Sequence, residues 1–169
     1  MARGESAGDR ITKEATVSEA LNHAASVAVV VRGETALREI AAAASEHPAV
    51  RVICVVDEDQ KLIGLIRVNA LCDDLYFHVT PEEFISEILE RGKIDEFGRF
   101  ARARVASDLM EAATSVVGED TLATAFARLH DRGLDGLPVV DPSGRPIAYL
   151  DRLRLIVVWL ETHPSSGAV

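Results

Sequence analysis

The chain has 169 residues, enough for one well-buried domain or for two half-sized units sharing an interface. Its composition, 48% hydrophobic and 27% charged, is that of an ordinary globular protein, and no apolar run approaches the ~20 residues of a membrane span. The net charge of −9 is spread along the chain, with 8 basic and 14 acidic residues in 1–84 and 10 and 13 in 85–169, which argues against nucleic-acid binding.

Residues 1–12 are small and polar and are expected to be disordered. The start also lacks the apolar segment of a secretory signal, so a cytoplasmic setting is expected. A short helix should open at Thr16-Val17-Ser18-Glu19, followed by an extended piece over 27–31 and a Gly33-Glu34 turn. Thr35 stands where an N-cap belongs, ahead of Leu37, Ile40, Ala41 and Ala44 at helical spacing. Strands over 52–56 and 62–66 are joined by the polar turn Asp57-Glu58-Asp59-Gln60-Lys61, and a helix over 68–76 follows. Thr80-Pro81-Glu82-Glu83 then reads as a capping box with proline at the first helical position. The helix it opens carries Phe84, Ile85, Ile88 and Leu89 on one face and stops at Gly92, and a second short helix spans about 94–103. Arg99, Arg102 and Arg104 in this stretch read as a solvated helix face.

The remainder repeats what came before. A short helix over 105–110 precedes an extended piece over 114–117, a Gly118-Glu119 turn, Asp120 at an N-cap position, and a helix with Leu122, Ala125, Phe126 and Leu129 inward. Strands over 137–140 and 146–150 flank Asp141-Pro142-Ser143-Gly144-Arg145, where proline and glycine make the turn explicit. A final helix over 151–161 is unusually apolar from 153 to 160, with Trp159 near its end, and is expected to be buried, at a subunit contact. Val55-Val56-Asp57 aligns with Val139-Val140-Asp141 at an offset of 84, and Gly33-Glu34 with Gly118-Glu119 at 85. A duplication of this kind decides the architecture: two similar units related by a pseudo-twofold axis, with any ligand at or between them. The expected domains are 13–75 and 105–163, with 76–104 as a helical insertion and 164–169 as a tail.

Other chemistries find little support. Cys54 lies in an apolar strand, Cys72 stands alone, and no CxxC spacing exists. The histidines at 23, 47, 78, 130 and 163 never fall at i, i+4, so no metal site is expected. Asp73-Asp74 and Glu82-Glu83 read as solvated helix termini, and no GxSxG, GxGxxG or phosphate-loop motif occurs, so no enzyme is expected.

The order helix, strand, helix, strand, strand, helix, written twice with an apolar strand ending in Val-Val-Asp, resembles a tandem pair of CBS (cystathionine β-synthase) domains, a Bateman module. The second copy carries the likeness most fully, through Ser107-Asp108-Leu109-Met110 and Gly133-Leu134-Asp135-Gly136-Leu137-Pro138-Val139-Val140-Asp141. The resemblance implies an α/β (α+β) fold, a homodimer, and a regulatory module that holds AMP, ADP, ATP or another adenosyl ligand between the repeats and signals to a protein partner. In the family pattern, glycine, two apolar residues, Ser or Thr, two variable residues and Asp lead into the closing helix, with the hydroxyl and carboxylate beside ribose and phosphates. Here Gly64-Leu65-Ile66 is followed by Arg67 and Ala148-Tyr149-Leu150 by Asp151, and the aspartate position holds Ala70 or Arg154. Asp151 would cap its helix or take over a ribose contact, and Arg67, Arg152 and Arg154 would meet phosphate or be surface arginines. The flat ring would lie against Ala113, Thr114, Ser115 and Val116 with Gly136, Leu137 and Pro138, where Gly136 would let the chain come close. Strand and turn packing explains the same residues equally well. The altered motif keeps a second reading open, a ligand-free module for dimerisation.

Overall fold

The computed structural model describes residues 15–24, 26–79 and 103–162. In chain order its elements are α1 (Val17–Ala24), β1 (Val30–Arg32), α2 (Leu37–Ser45), β2 (Val52–Val56), β3 (Leu62–Arg67), α3 (Val68–Val79), α4 (Ala106–Leu109), β4 (Glu111–Ala112), β5 (Val116–Val117), α5 (Leu122–Arg132), β6 (Gly136–Val140), β7 (Pro146–Asp151) and α6 (Arg152–Thr162). They build one sheet of order β1-β2-β3-β4 and another of order β5-β6-β7, the mixed α+β class expected from the repeat.

Each sheet is organised on an inner strand. β2 and β6 read as unbroken apolar runs because both of their faces are covered, and all five residues of each are buried. β1 runs parallel to β2 with Val31 opposite Val55, and β5 runs parallel to β6 with Val116 opposite Val139. The hairpins β2–β3 and β6–β7 share a bulge: Val55 faces Gly64 while Val56 faces Leu62, and Val139 faces Ala148 while Val140 faces Pro146. The extra residues, Ile63 and Ile147, are exposed. The aspartate of each Val-Val-Asp run closes the turn, since Asp57 Oδ1 accepts the Lys61 N–H and Asp141 Oδ1 the Arg145 N–H, both at 2.9 Å.

The compact units differ from the consecutive repeats. The described residues up to Ala28 group with those from Thr114 onward, and the described residues of Val29–Ala113 form the other unit. Each repeat's opening helix therefore sits with the other repeat's sheet. In the three-stranded unit Val17 N–H donates to Asp120 O (2.8 Å), Ser18 N–H to Gly118 O (3.0 Å) and Leu122 N–H to Ala15 O (2.8 Å). In the four-stranded unit Ala106 N–H donates to Thr35 O (2.9 Å), Ser107 N–H to Gly33 O (2.9 Å) and Leu37 N–H to Arg104 O (3.2 Å). The chain then runs on beside the last hairpin strand, with Ser26 bridging Tyr149 in one unit and β4 pairing Gly64 and Leu65 in the other.

Several local expectations are corrected. The N-caps lie one residue beyond Thr35 and Asp120, at Ala36 and Thr121, and only Thr121 caps with its side chain, accepting the Thr124 N–H. Thr35 Oγ1 and Asp120 Oδ2 instead accept the N–H groups of Arg32 (3.1 Å) and Val117 (3.0 Å), tying down the turn before the helix. The extended pieces are shorter than expected, and β4 carries no sequence signal because its two residues become a strand only by pairing with β3. α3 continues past residue 76 to Val79, and the helices expected over 80–102 lie outside the described residues. In α6 Leu155 is buried, but Leu153, Ile156 and Val157 are exposed, and Trp159 lies beyond the described side chains. No helix among the described residues is long and apolar enough to cross a membrane.

Candidate functional site

Strand register gathers most of the singled-out residues at one end of the three-stranded sheet. Gly136 pairs with Asp151 and Leu137 with Leu150, so β6 begins beside the start of α6. Val116 faces Val139 in parallel register, so the segment entering β5 joins the sheet one residue past Pro138. Gly136, Leu137 and Pro138 thus lie on β6 beside the helix start with Asp151 and Arg154, Val116 lies on β5, and Thr114 and Ser115 immediately precede it. Ala113 and Arg67 belong to the other unit.

Asp151 caps α6, its Oδ1 accepting the Arg154 N–H at 3.0 Å. The first N–H of that helix, on Arg152, is taken by Asp135 O at 2.9 Å, and the matching bond in the four-stranded unit runs from Val68 N–H to Arg51 O at 3.0 Å. Arg152 also stands 4.0 Å from the Asp135 carboxylate, both exposed. Gly136 has a structural reason that sequence reading misses: a Cβ there would fall 2.0 Å from the hydroxyl of Tyr149. The Tyr149 side chain is fully buried and its ring lies over the start of β6. The close approach at Gly136 is therefore to a side chain of this protein. A glycine inside a strand pattern does announce such a contact, but not its partner.

The equivalent place in the four-stranded unit is filled differently. Arg67 forks onto Glu111, Nε to Oε1 at 2.6 Å and Nη2 to Oε2 at 3.3 Å. Both side chains are about one-third exposed, so the pair adds under ~1 kcal/mol to stability. It nevertheless fixes the orientation of both groups. Gly64 beside it is constrained as Gly136 is, since a Cβ would meet Met110 Sδ at 2.6 Å.

The segment leading into β5 is held from α5 by two arginines. Arg128 Nη1 donates to the Ser115 carbonyl and lies 3.0 Å from Asp120 Oδ2, the same oxygen that accepts the Val117 N–H. Arg132 Nε donates to Thr114 Oγ1 at 3.0 Å. Spaced i, i+4, the two guanidinium groups share one face of α5. That spacing was the available signal.

Electrostatics elsewhere is structural. Burial pushes the Cys54 thiol up to about 12, so it remains a protonated core group. Backbone N–H groups of Arg104 and Val105 donate to Asp108 Oδ2 and hold its carboxyl below the usual range. That lowered value favours the folded state above the ordinary carboxylate pKa, and the benefit disappears as pH falls through the folded one. No group of three or more metal-ligating side chains occurs among the described residues.

Comparison with known proteins places this geometry in a family. The sequence profile of the CBS domain matches twice, over residues 17–76 and 106–160. No curated protein matches. A CBS domain-containing protein from Thermotoga maritima superposes with a TM-score of 0.66 at 23% identity, covering 86% of this chain and 94% of its own. CBSX2, a CBS-pair protein of Arabidopsis thaliana, was solved in complex with AMP. That complex gives a TM-score of 0.65 at 21% identity, covering 87% of this chain and 97% of its own. The CBS domain pair of protein MJ0100, in complex with 5'-methylthioadenosine and S-adenosyl-L-methionine, gives 0.62 at 13%, covering 85% and 94%. With both repeats matched and the fold shared, the chain belongs to the CBS domain family as a tandem pair.

Proposed function

We propose that this protein is a regulatory CBS-pair module of the cytoplasm, not an enzyme, that binds an adenine nucleotide or related adenosyl ligand and reports its presence to a protein partner. The observation that carries the reading is the convergence, at one end of the three-stranded sheet, of the segment before β5, the start of β6 and the capped start of α6. Structural relatives solved with AMP, or with methylthioadenosine and S-adenosylmethionine, support the ligand class. Thr114, Ser115, Val116, Gly136, Leu137 and Pro138 would face the ring, with Asp151 and Arg154 toward the ribose and its substituent. Ala113 and Arg67 would serve the second copy of the site, where Arg67 is already engaged by Glu111. Signalling would be a population shift, limited by the ligand's differential affinity for two states.

Thermal melting with AMP, ADP, ATP and S-adenosylmethionine tests this. A ligand at ~100 times its Kd adds about 2.7 kcal/mol of stability. Unchanged melting with all four rejects the ligand-binding reading.

The alternative, a ligand-free dimerisation module, would need an exposed apolar face. Leu153, Ile156 and Val157 expose a run of apolar side chains on α6, and Tyr76 is 52% exposed on α3. These helices would form a homodimer contact in either reading. Sedimentation of the wild type against Leu153→Glu with Val157→Glu tests the contact: a dimer lost in the double variant supports it, and a monomeric wild type rejects it.

A further inference from the structure

We propose that Arg128 and Arg132 are positioning residues that set the base preference of the site in the three-stranded unit, a proposal that rests on the adenosyl-ligand reading above. The inference starts from what the two arginines touch. Both reach back from α5 to the segment that would face the ring, Arg128 at the Ser115 carbonyl and Arg132 at the Thr114 hydroxyl. Arg128 is tied to Asp120 at 3.0 Å, and Asp120 to the Val117 N–H at 3.0 Å, so with Arg132 the segment is gripped at Thr114, Ser115 and Val117 by three side chains.

The sister unit has no such device. Where the three-stranded unit has Asp120, Arg128 and Arg132, the residues 85 positions earlier are Thr35, Ala43 and His47. There Thr35 ties its turn through a hydroxyl, accepting the Arg32 N–H. Folding this turn therefore does not require the guanidinium groups, and their place on the ring-facing segment calls for another explanation.

The chemistry of Thr114 supplies one. A guanidinium donates only, so Arg132 occupies an acceptor site on the Thr114 oxygen and the cation turns the hydroxyl proton away from itself. The hydroxyl is thereby set as a donor and matches a ring edge that offers an acceptor. A donor held at the N1 position meets an unprotonated nitrogen in adenine but an N1–H in hypoxanthine, whose nearest acceptor, the carbonyl oxygen, lies displaced from that point. Arg128 holds the Ser115 peptide in register so that the donor stays at a fixed height beside β6.

The test is titration calorimetry with AMP and IMP on the full chain, comparing wild type with Arg132→Met, Thr114→Val and Arg128→Met, each with its ligand-free melting temperature. Wild type should favour AMP by about tenfold, the usual effect of one hydrogen bond gained or lost at a built site. Arg132→Met and Thr114→Val should bring the two affinities together, and Arg128→Met should weaken AMP more than IMP. Arg132 and Thr114 are not core residues, so these two variants remain informative if Arg128→Met melts early. An unchanged ratio in both, or equal weakening of both nucleotides, overturns the positioning role while leaving the adenosyl-ligand reading intact. A wild type that favours IMP also overturns it. A wild type that binds neither nucleotide overturns the positioning role, while the adenosyl-ligand reading is then decided by the melting series with ADP, ATP and S-adenosylmethionine.

Discussion

The two compact units follow one plan and differ where a ligand would matter. Both have an inner strand buried at all five positions, a parallel partner on one side, a bulged hairpin on the other, and a helix taken from the opposite repeat. At the start of the closing helix, however, the four-stranded unit locks Arg67 onto Glu111, while the three-stranded unit has Asp151 capping α6 and Ser26 opposite Tyr149. Ahead of the second helix, one unit uses the hydroxyl of Thr35 where the other uses the carboxylate of Asp120 with Arg128. A shared scaffold thus fixes backbone, while side chains at equivalent positions carry unlike charge. The lesson is that a duplicated fold does not imply duplicated sites.

The exchanged helices should give the greatest loss of stability when disturbed. Val17 and Ala106 are both fully buried, in the three-stranded and four-stranded units respectively. Val17→Asp gives up about 2 kcal/mol of apolar burial and strands a carboxylate, for a loss of about 4 kcal/mol or more. Hydrogen exchange should then accelerate first in Gly136–Val140, while Val52–Val56 keeps its protection longer. Ala106→Asp should reverse the order. If Val17→Asp exposes Val52–Val56 first, the helix belongs energetically with its own repeat and the exchange is not what holds the units.

Next in size is Gly136→Ala. With the added carbon 2.0 Å from the Tyr149 hydroxyl, ring or strand must shift, at about 2–3 kcal/mol. Combining it with Tyr149→Leu, which removes the obstructing hydroxyl, should cost less than the sum of the two single changes. Additive losses in denaturant melts would mean that the strain lies elsewhere. Gly64→Ala meets the flexible end of Met110 and a carbonyl at 3.1 Å, so it should cost less.

These positions show what was legible in the sequence. The two inner strands, their hairpins and both closing helices could be read because apolar runs, turn residues and the repeat all agreed. The exchange of α1 and α4 could not, since no local pattern says which sheet a short helix joins. Thr35 and Asp120 depart from the expected capping role for a related reason: an oxygen-bearing side chain before a helix can cap it or tie the turn behind it, and only backbone geometry decides. The candidate site was less legible. Thr114, Gly136 and Asp151 came from the family resemblance, while Tyr149 over Gly136 and Glu111 against Arg67 depend on strand register and, for the latter pair, on residues 44 positions apart.

Caps offer a smaller test. Thr121 accepts the Thr124 N–H at 3.2 Å, whereas Ala36, with a similar extended backbone, offers no side-chain oxygen. Thr121→Ala should cost about 1 kcal/mol, and Ala36→Ser should add about 0.5 kcal/mol. Equal and opposite shifts in urea midpoint would show the two helix starts to be interchangeable. A destabilising Ala36→Ser would show that its contact with Val105, which bridges Ala36, leaves no room for a hydroxyl.

The smallest effect lies in the hairpin turns, where the units differ at one left-handed residue. Gly144 has φ 84° and Gln60 φ 66°, each the fourth residue of its turn. A side chain in that region costs about 1 kcal/mol, while glycine loses a comparable amount through the greater freedom of its unfolded chain. Gln60→Gly should therefore raise stability by no more than about 0.5 kcal/mol, and Gly144→Gln should lower it by about 1 kcal/mol because strain is added at a wider angle. The bonds from Asp57 to Lys61 and from Asp141 to Arg145 hold both turns in the same form, so backbone terms alone should set the difference. If Gln60→Gly instead destabilises by more than about 1 kcal/mol, the glutamine side chain itself must be holding the turn, and the two hairpins are alike in backbone only.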